Sequence, residues 1–270
     1  MKPINLQYIL MISAALIALV MITHYTVKAR FELKTMVMIS FMSLLSLVLA
    51  VFLSMTIPLF GFPSLRFGFS QLPIMLAGAL FGPWWGLIAG VLEDLLELAS
   101  GFITTPYIGF TLNKALLGLI PGLVFLLAKK NPQKLKFYIG GLVILLYGAS
   151  ISFILSTNSV SASQVTYVLD WPVKLILIGL TLMILPLTYL VYRTLKQKDL
   201  QKTTFQAWLL SVILIEIVIN VILTPIWLKN MYGIPIEIQV VIRSIKASFF
   251  VVLNTFMAYF IYRNLQRIKK

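Results

Sequence analysis

Long apolar runs separated by short polar clusters organise this chain. Nine apolar stretches lie near residues 5–27, 36–58, 71–82, 84–100, 108–128, 137–157, 172–194, 205–228 and 239–262. A helix that crosses a bilayer needs about 20 apolar residues. The third and fourth stretches are short of that and meet at Gly82-Pro83, where Gly and Pro favour a break between helices. They are read as half-length or tilted helices, and the others as full spans.

Composition agrees with that pattern. Hydrophobic residues make up 60% of the 270 and charged residues 11%, with a mean hydropathy of +0.98. That is too apolar for a soluble domain, so a soluble enzyme core, a disordered chain and a nucleic-acid-binding domain are excluded together. There is no Cys and one His, so neither a thiolate nor a histidine metal site is expected, and no cofactor. The net charge of +14 has a topological explanation, because Lys and Arg collect in cytoplasmic loops. Lys28, Arg30 and Lys34 follow the first stretch. Lys129, Lys130, Lys134 and Lys136 follow the fifth, and Arg193, Lys196, Lys198 and Lys202 the seventh. Arg263, Arg267, Lys269 and Lys270 come last. The intervening loops hold few basic residues. Nine crossings with the N-terminus outside and the C-terminus cytoplasmic put every basic cluster on one side. The first stretch is read as a retained helix rather than a signal peptide, since it has the length of a span and no small-residue cleavage site follows. No GxxxxGK[ST] motif is present, so the chain is not expected to hydrolyse nucleotide.

Gly78, Gly82, Gly86 and Gly90 recur every four residues, and Gly118 and Gly122 repeat the spacing. Such spacing lets helices approach backbone to backbone, and it predicts a tight helical hairpin turning at Gly82-Pro83. These residues also carry a resemblance. Phe67-Gly68-Phe69, Leu72 to Gly78, Phe81-Gly82-Pro83, Gly86, Gly90 and Asp94 resemble the second and third helices of the vitamin-binding S components of energy-coupling factor transporters. The folate family is the most similar. Pro106 to Leu112 resembles that family's Gly-Phe-Thr-Leu element at the start of the fourth helix. Thr224 to Trp227, Tyr232-Gly233 and Ile242 to Lys246 resemble its last two helices. The resemblance implies an all-α polytopic membrane protein with a six-helix core. One extra N-terminal helix and loop (1–35) precede the first four core helices (36–130). An inserted helical hairpin (131–203) separates these from the last two core helices and a basic C-terminus (204–270). It further implies a bacterial cell-membrane subunit, not an enzyme, that binds folate or a related anionic vitamin. Its partners would be a transmembrane coupling protein and two cytoplasmic ATPase subunits.

Ionisable residues within membrane spans are functional candidates, because an unpaired buried charge is costly. Asp94 and Lys114 each lie about six residues below the outer ends of adjacent helices, about 9 Å deep. A structural ion pair of Lys114 with Asp94 or Glu97 is expected, with substrate contact as the alternative role for these groups. Arg243 and Lys246, at i and i+3, share a helix face and suit an anionic ligand, Arg243 through its planar fork. The surrounding outer loops offer aromatic residues rather than competing carboxylates. Glu216 is placed against helices or the inserted hairpin without an assigned partner. The loop at 59–70 gathers Phe60, Phe62, Phe67 and Phe69 around Arg66, rings that suit a flat heterocycle; by resemblance this loop closes over the vitamin. Tyr107, Trp227 and Tyr232 lie at the same level. The substrate-binding set is therefore Arg66, Phe67, Phe69, Tyr107, Thr111, Lys114, Trp227, Arg243 and Lys246. Where the folate family tends to carry an Arg after its Gly-Phe-Thr-Leu element, this chain has Leu117, with Lys114 one turn earlier.

Ser46, Ala50 and Ser54 repeat every four residues on the first core helix and are expected to form the coupling interface, in place of the family's Ala-xxx-Ala. Ala14 and Ala18 on the extra helix offer a rival surface. Two other classes of function compete. A lipid-modifying enzyme would use Glu93, Asp94 and Glu97 to hold a divalent cation. A secondary transporter would show an inverted repeat, and none is visible.

Overall fold

The computed structural model of the chain describes residues 32–59, 62–103, 106–162, 165–168, 170–182 and 199–268. The chain divides into a unit of residues 1–38 and a unit of residues 39–270. In the first, residues 33–38 are the opening turns of helix α1. Everything below concerns the second. The first apolar stretch, with Ala14 and Ala18, lies outside the described residues.

Helix α1 (Leu33–Phe52) leads into a hairpin of β1 (Ser54–Leu59) and β2 (Phe62–Gly68). Then come α2 (Gln71–Phe81), α3 (Pro83–Ala99), α4 (Ile108–Lys130) and α5 (Lys134–Ser156). A second hairpin, β3 (Ser159–Ala162) and β4 (Val165–Val168), precedes α6 (Trp171–Leu182). Helix α7 (Asp199–Ile215) runs through a π-helical segment, Glu216–Leu223, into α8 (Thr224–Tyr232). The last helix is α9 (Ile236–Ile268). Both hairpins are antiparallel. Among the described residues, five helices are long and apolar enough to cross a membrane, the α7–α8 rod being one, while α2 is apolar but short.

The apolar pattern locates these helices, and packing decides which side of each faces inward. On α1, Ile39, Ser43, Ser46 and Ala50 are buried. They follow the four-three-four spacing of one helix face. Phe41, Leu44, Val48 and Val51 on the other faces are exposed. An apolar exterior of this kind suits hydrocarbon rather than water. The stretch expected to be helical to residue 58 stops at Phe52. Pro58 forbids a continuous helix to 58, since inside a helix its ring would clash with the Ser54 carbonyl and it has no N–H to donate. The Ser54 hydroxyl turns back onto the Ala50 carbonyl, and the chain continues extended. Pro58 then pairs with Pro63 where the hairpin register shifts.

The α2–α3 hairpin sits on α4 at the glycines. Gly82 makes the turn at φ 100°, a conformation open to Gly without a Cβ penalty. A Cβ on Gly86 would lie 2.3 Å from the Gly118 carbonyl oxygen. One on Gly118 would lie 2.0 Å from that of Gly86, and one on Gly90 2.0 Å from that of Lys114. No side chain can stand between α3 and α4 along this seam. Helix α5 packs against α7 and α9 through its buried stripe of Leu146, Tyr147, Ser150 and Ile154. Phe125, Trp208 and Tyr262 join α4, α7 and α9 as a cluster of edge-to-face and tilted rings, with ring centroids 4.9 to 5.6 Å apart.

Gly118→Ala should lower stability by about 1–3 kcal/mol or more, because α3 must move away to admit a methyl group. Gly148→Ala is the control, since nothing lies within 4 Å of a Cβ there. Thermal unfolding of both variants in detergent should show a fall in Tm for the first and none for the second.

Candidate functional site

The glycine seam aligns charges as well as backbones. Gly86, Gly90, Glu93 and Glu97 follow one another at four-, three- and four-residue steps, so all face α4. Lys114 stands opposite. Its Nζ is 2.5 Å from both carboxylate oxygens of Glu93 and 3.2 Å from Oε1 of Glu97. Both glutamates are fully buried. The Ser46 hydroxyl lies 3.1 Å from Glu93 Oε1 and 2.5 Å from the Ser70 carbonyl oxygen, which ties α1 into the cluster. Asp94 is turned about 100° from Glu93 around the helix and accepts the Thr111 hydroxyl at 2.6 Å. The expected ion pair therefore forms with Glu97, and with Glu93 where Asp94 was expected. The physical reason is helical phase: Glu93 continues the glycine stripe and Asp94 does not.

Above this cluster is a cavity of about 610 Å³, bounded on one side by Asp94, Glu97, Leu98 and Phe102 and on another by Tyr107, Phe110, Asn113, Lys114 and Leu117. The α7–α8 rod contributes Glu216, Ile219, Asn220, Thr224 and Leu228, while α9 contributes Arg243, Lys246 and Phe250. Gly68 and Ser70, at the base of the β1–β2 hairpin, also line it. Three carboxylates and three cations thus share one cavity. The outer loops are read as free of competing carboxylates; the carboxylate that shares the cavity with Arg243 is Glu216, from the π-helical segment of the α7–α8 rod. Lys246 Nζ lies 4.9 Å from the Phe250 ring centroid, within cation–π range.

A polar brace backs the wall. Trp227 Nε1 donates to Asn113 Oδ1 at 3.2 Å, Asn113 Nδ2 donates to the Thr224 hydroxyl oxygen at 3.2 Å, and that hydroxyl donates to the Ile219 carbonyl at 2.6 Å. The Tyr107 and Trp227 rings pack at 5.9 Å, over Gly109, where a Cβ would collide with both.

Of the substrate-binding set, Tyr107, Lys114, Arg243 and Lys246 line the cavity. Trp227 is buried in the brace, Thr111 holds Asp94, and Phe69 packs on the hydrophobic core. None of these three is on the lining. The side chains of Arg66 and Phe67 lie outside the described residues. The residues expected to form the coupling stripe do not make one exposed helix face. Ser46 and Ala50 are fully buried within the chain, and Ser54 belongs to β1. Serine hydroxyls turn inward on α1 because partners wait there: Ser43 donates to the Ala89 carbonyl at 3.0 Å, and Ser46 meets Glu93. Asn113, Glu216 and Asn220 line the cavity without having been expected there. A polar repeat at Glu216, Asn220 and Thr224 in an otherwise apolar helix was the available signal for two of them.

The family model for the substrate-specific component of ECF transporters matches residues 34–228. The chain belongs to that family. It is therefore a multi-pass membrane subunit that binds a substrate for transport, and not an enzyme. Among curated relatives it is similar to the folate transporter FolT of Clostridium novyi (strain NT), with 27% identity over 114 residues. That match spans 42% of this chain and 63% of the relative. Among solved structures it is similar to one described as the crystal structure of FolT bound with folic acid. The TM-score is 0.51 at 19% identity, over 87% of this chain and 97% of that one, a likeness of fold. The Glu93 and Glu97 carboxylates that a lipid-modifying enzyme would offer to a divalent cation are bridged by the Lys114 ammonium.

Lys114→Met in this S component should cost about 3–5 kcal/mol, since it strands two buried carboxylates. Adding Glu93→Gln and Glu97→Gln should restore most of the loss. Chemical denaturation of the single and triple variants checks this, and equal instability of the two would show that packing of Lys114 rather than its charge matters.

Proposed function

We propose that this S component captures folate or a closely related anionic vitamin from outside the cell and presents it for import. The observation that carries this reading is the cavity. It holds cations for carboxylates, aromatic faces for a flat ring and about 610 Å³ of space, within the roughly 300–1,000 Å³ typical of small-molecule sites. Similarity to proteins named as folate transporters supports the choice of vitamin. Arg243, 5% exposed, offers two parallel N–H donors to a carboxylate of the ligand, a geometry that an ammonium cannot copy. Lys114 contributes less directly, since Glu93 and Glu97 already hold it.

No covalent step is needed. Energy for release comes from two cytoplasmic ATPase subunits through a transmembrane coupling protein. That protein must prefer the open state of the S component to the closed one, because a partner shifts a conformational equilibrium only by its differential affinity. The cavity and the β1–β2 hairpin face outward across a bacterial cell membrane, with the N-terminus outside and the basic C-terminus in the cytoplasm, in keeping with the distribution of Lys and Arg. The core of residues 36–130 and 204–270 carries binding. The extra helix at 1–35 and the hairpin at 131–203 are additions to it. A family match that starts at residue 34 supports the first boundary.

Calorimetric titration of the purified protein with folic acid tests the reading. Arg243→Ala should weaken binding about ten- to a hundred-fold, the loss of one charge-assisted hydrogen-bond set, and Arg243→Lys should recover part of it. Unchanged affinity in Arg243→Ala, with the protein folded, would move anion recognition elsewhere. Vesicles containing this chain alone should bind folic acid without accumulating it, with or without ATP. Energised uptake by the chain alone would overturn the shared-ATPase mechanism.

A further inference from the structure

Glu216 is the cavity's unexplained group. It lies in a segment, Glu216–Leu223, whose residues apart from Glu216 and Asn220 are Ile, Val and Leu, is 1% exposed, and lines the cavity. A carboxylate is costly to bury unless its lone pairs are satisfied. Only one oxygen is provided for. Oε2 accepts from Asn220 Nδ2 at 2.8 Å, whereas Oε1 has no hydrogen-bond partner among the described residues, although the charges of Lys246 and Arg243 lie near enough to act on the carboxylate. The other two lining carboxylates are engaged, Glu97 by Lys114 and Asp94 by Thr111.

The backbone points the same way. Glu216 opens the π-helical segment Glu216–Leu223, which also carries Ile219 and Asn220 on the cavity wall. Wide turns of this kind are rare and are frequently found at functional sites. The Thr224 hydroxyl reaches back five residues to the Ile219 carbonyl and occupies an acceptor within the widened turn.

We infer that Glu216, held in place by Asn220, is a specificity residue that receives adjacent N–H donors on the ligand's heterocycle. An ionised carboxylate only accepts hydrogen bonds, so its complement is an amidine-like edge such as the ring N–H and exocyclic amine of a 2-aminopyrimidin-4-one. Arg243 takes the ligand's carboxylate. The cavity thereby reads a donor edge at Glu216 and a carboxylate at Arg243, while Asp94, Glu97 and Lys114 remain in their internal pairs. This inference rests on the vitamin-binding reading above and adds the class of ring that the site accepts.

The test uses three probes on purified full-length protein: folic acid, 6-methylpterin, which has the donor edge alone, and p-aminobenzoylglutamate, which has the carboxylates alone. Glu216→Gln keeps the shape but replaces an acceptor with a donor. It should weaken folic acid and 6-methylpterin about ten- to a hundred-fold and leave p-aminobenzoylglutamate unchanged. Arg243→Ala should show the reverse selectivity towards the two fragments. Should Glu216→Gln fail to fold, Asn220→Ala, which loosens the same carboxylate, should show the same selective loss. Equal losses for all three probes, or none for 6-methylpterin, would overturn the inference while folic acid binding by the unmodified protein kept the vitamin reading. If the unmodified protein binds none of the three, the vitamin reading itself fails and the donor-edge assignment falls with it.

Discussion

Backbone contact between α3 and α4 is the constraint on which the site depends. With carbonyl oxygens about where a Cβ would stand on Gly86, Gly90 and Gly118, the two helices have essentially one way to fit. Packing of this kind replaces the hydrophobic driving force that is missing between helices in lipid. Its consequence is electrostatic. The stripe that begins as glycine ends as Glu93 and Glu97, and the seam delivers both to Lys114. The ion cluster is stable because helix positions are already set, so little ordering remains to be done when the charges meet.

Charge in this cavity is divided between structure and recognition. Lys114, Glu93 and Glu97 satisfy one another beside α1, whose Ser46 hydroxyl completes the cluster. Asp94 is occupied by Thr111. Arg243 and Glu216 come from the helices on the other side of the cavity, where the π-helical turn and the Asn113–Thr224–Trp227 brace hold the wall. A wall prepared in this way loses little freedom on binding, which favours affinity.

The small residues of α1 show how the same pattern serves two purposes. A four-residue repeat of small side chains permits close helix approach whichever neighbour arrives. On α1 that neighbour is the chain's own α3, reached through Ser43 and Ala89. Ser46 and Ala50 are spent inside the bundle, and the exposed surface of α1 is made of Phe, Leu and Val.

Much was legible in the sequence. Apolar length located the membrane helices, and the glycine repeat announced the α2–α3 hairpin, because each is a local or periodic property. The motif from Phe67 onward indicated the family before any fold was visible. Lys114, Arg243 and Lys246 stood out as cavity residues because a charge within an apolar run is costly until a partner or a ligand offsets it. Tertiary structure decided what periodicity leaves open. Which of Glu93 and Asp94 meets Lys114 depends on about 100° of helical phase relative to a neighbour. Whether Ser46 faces a partner or the core depends on what packs on α1. That Glu216 enters the cavity, rather than the helix or hairpin interface expected of it, depends on how α7 packs among its neighbours. These are relations between elements distant along the chain, and only their packing together creates them.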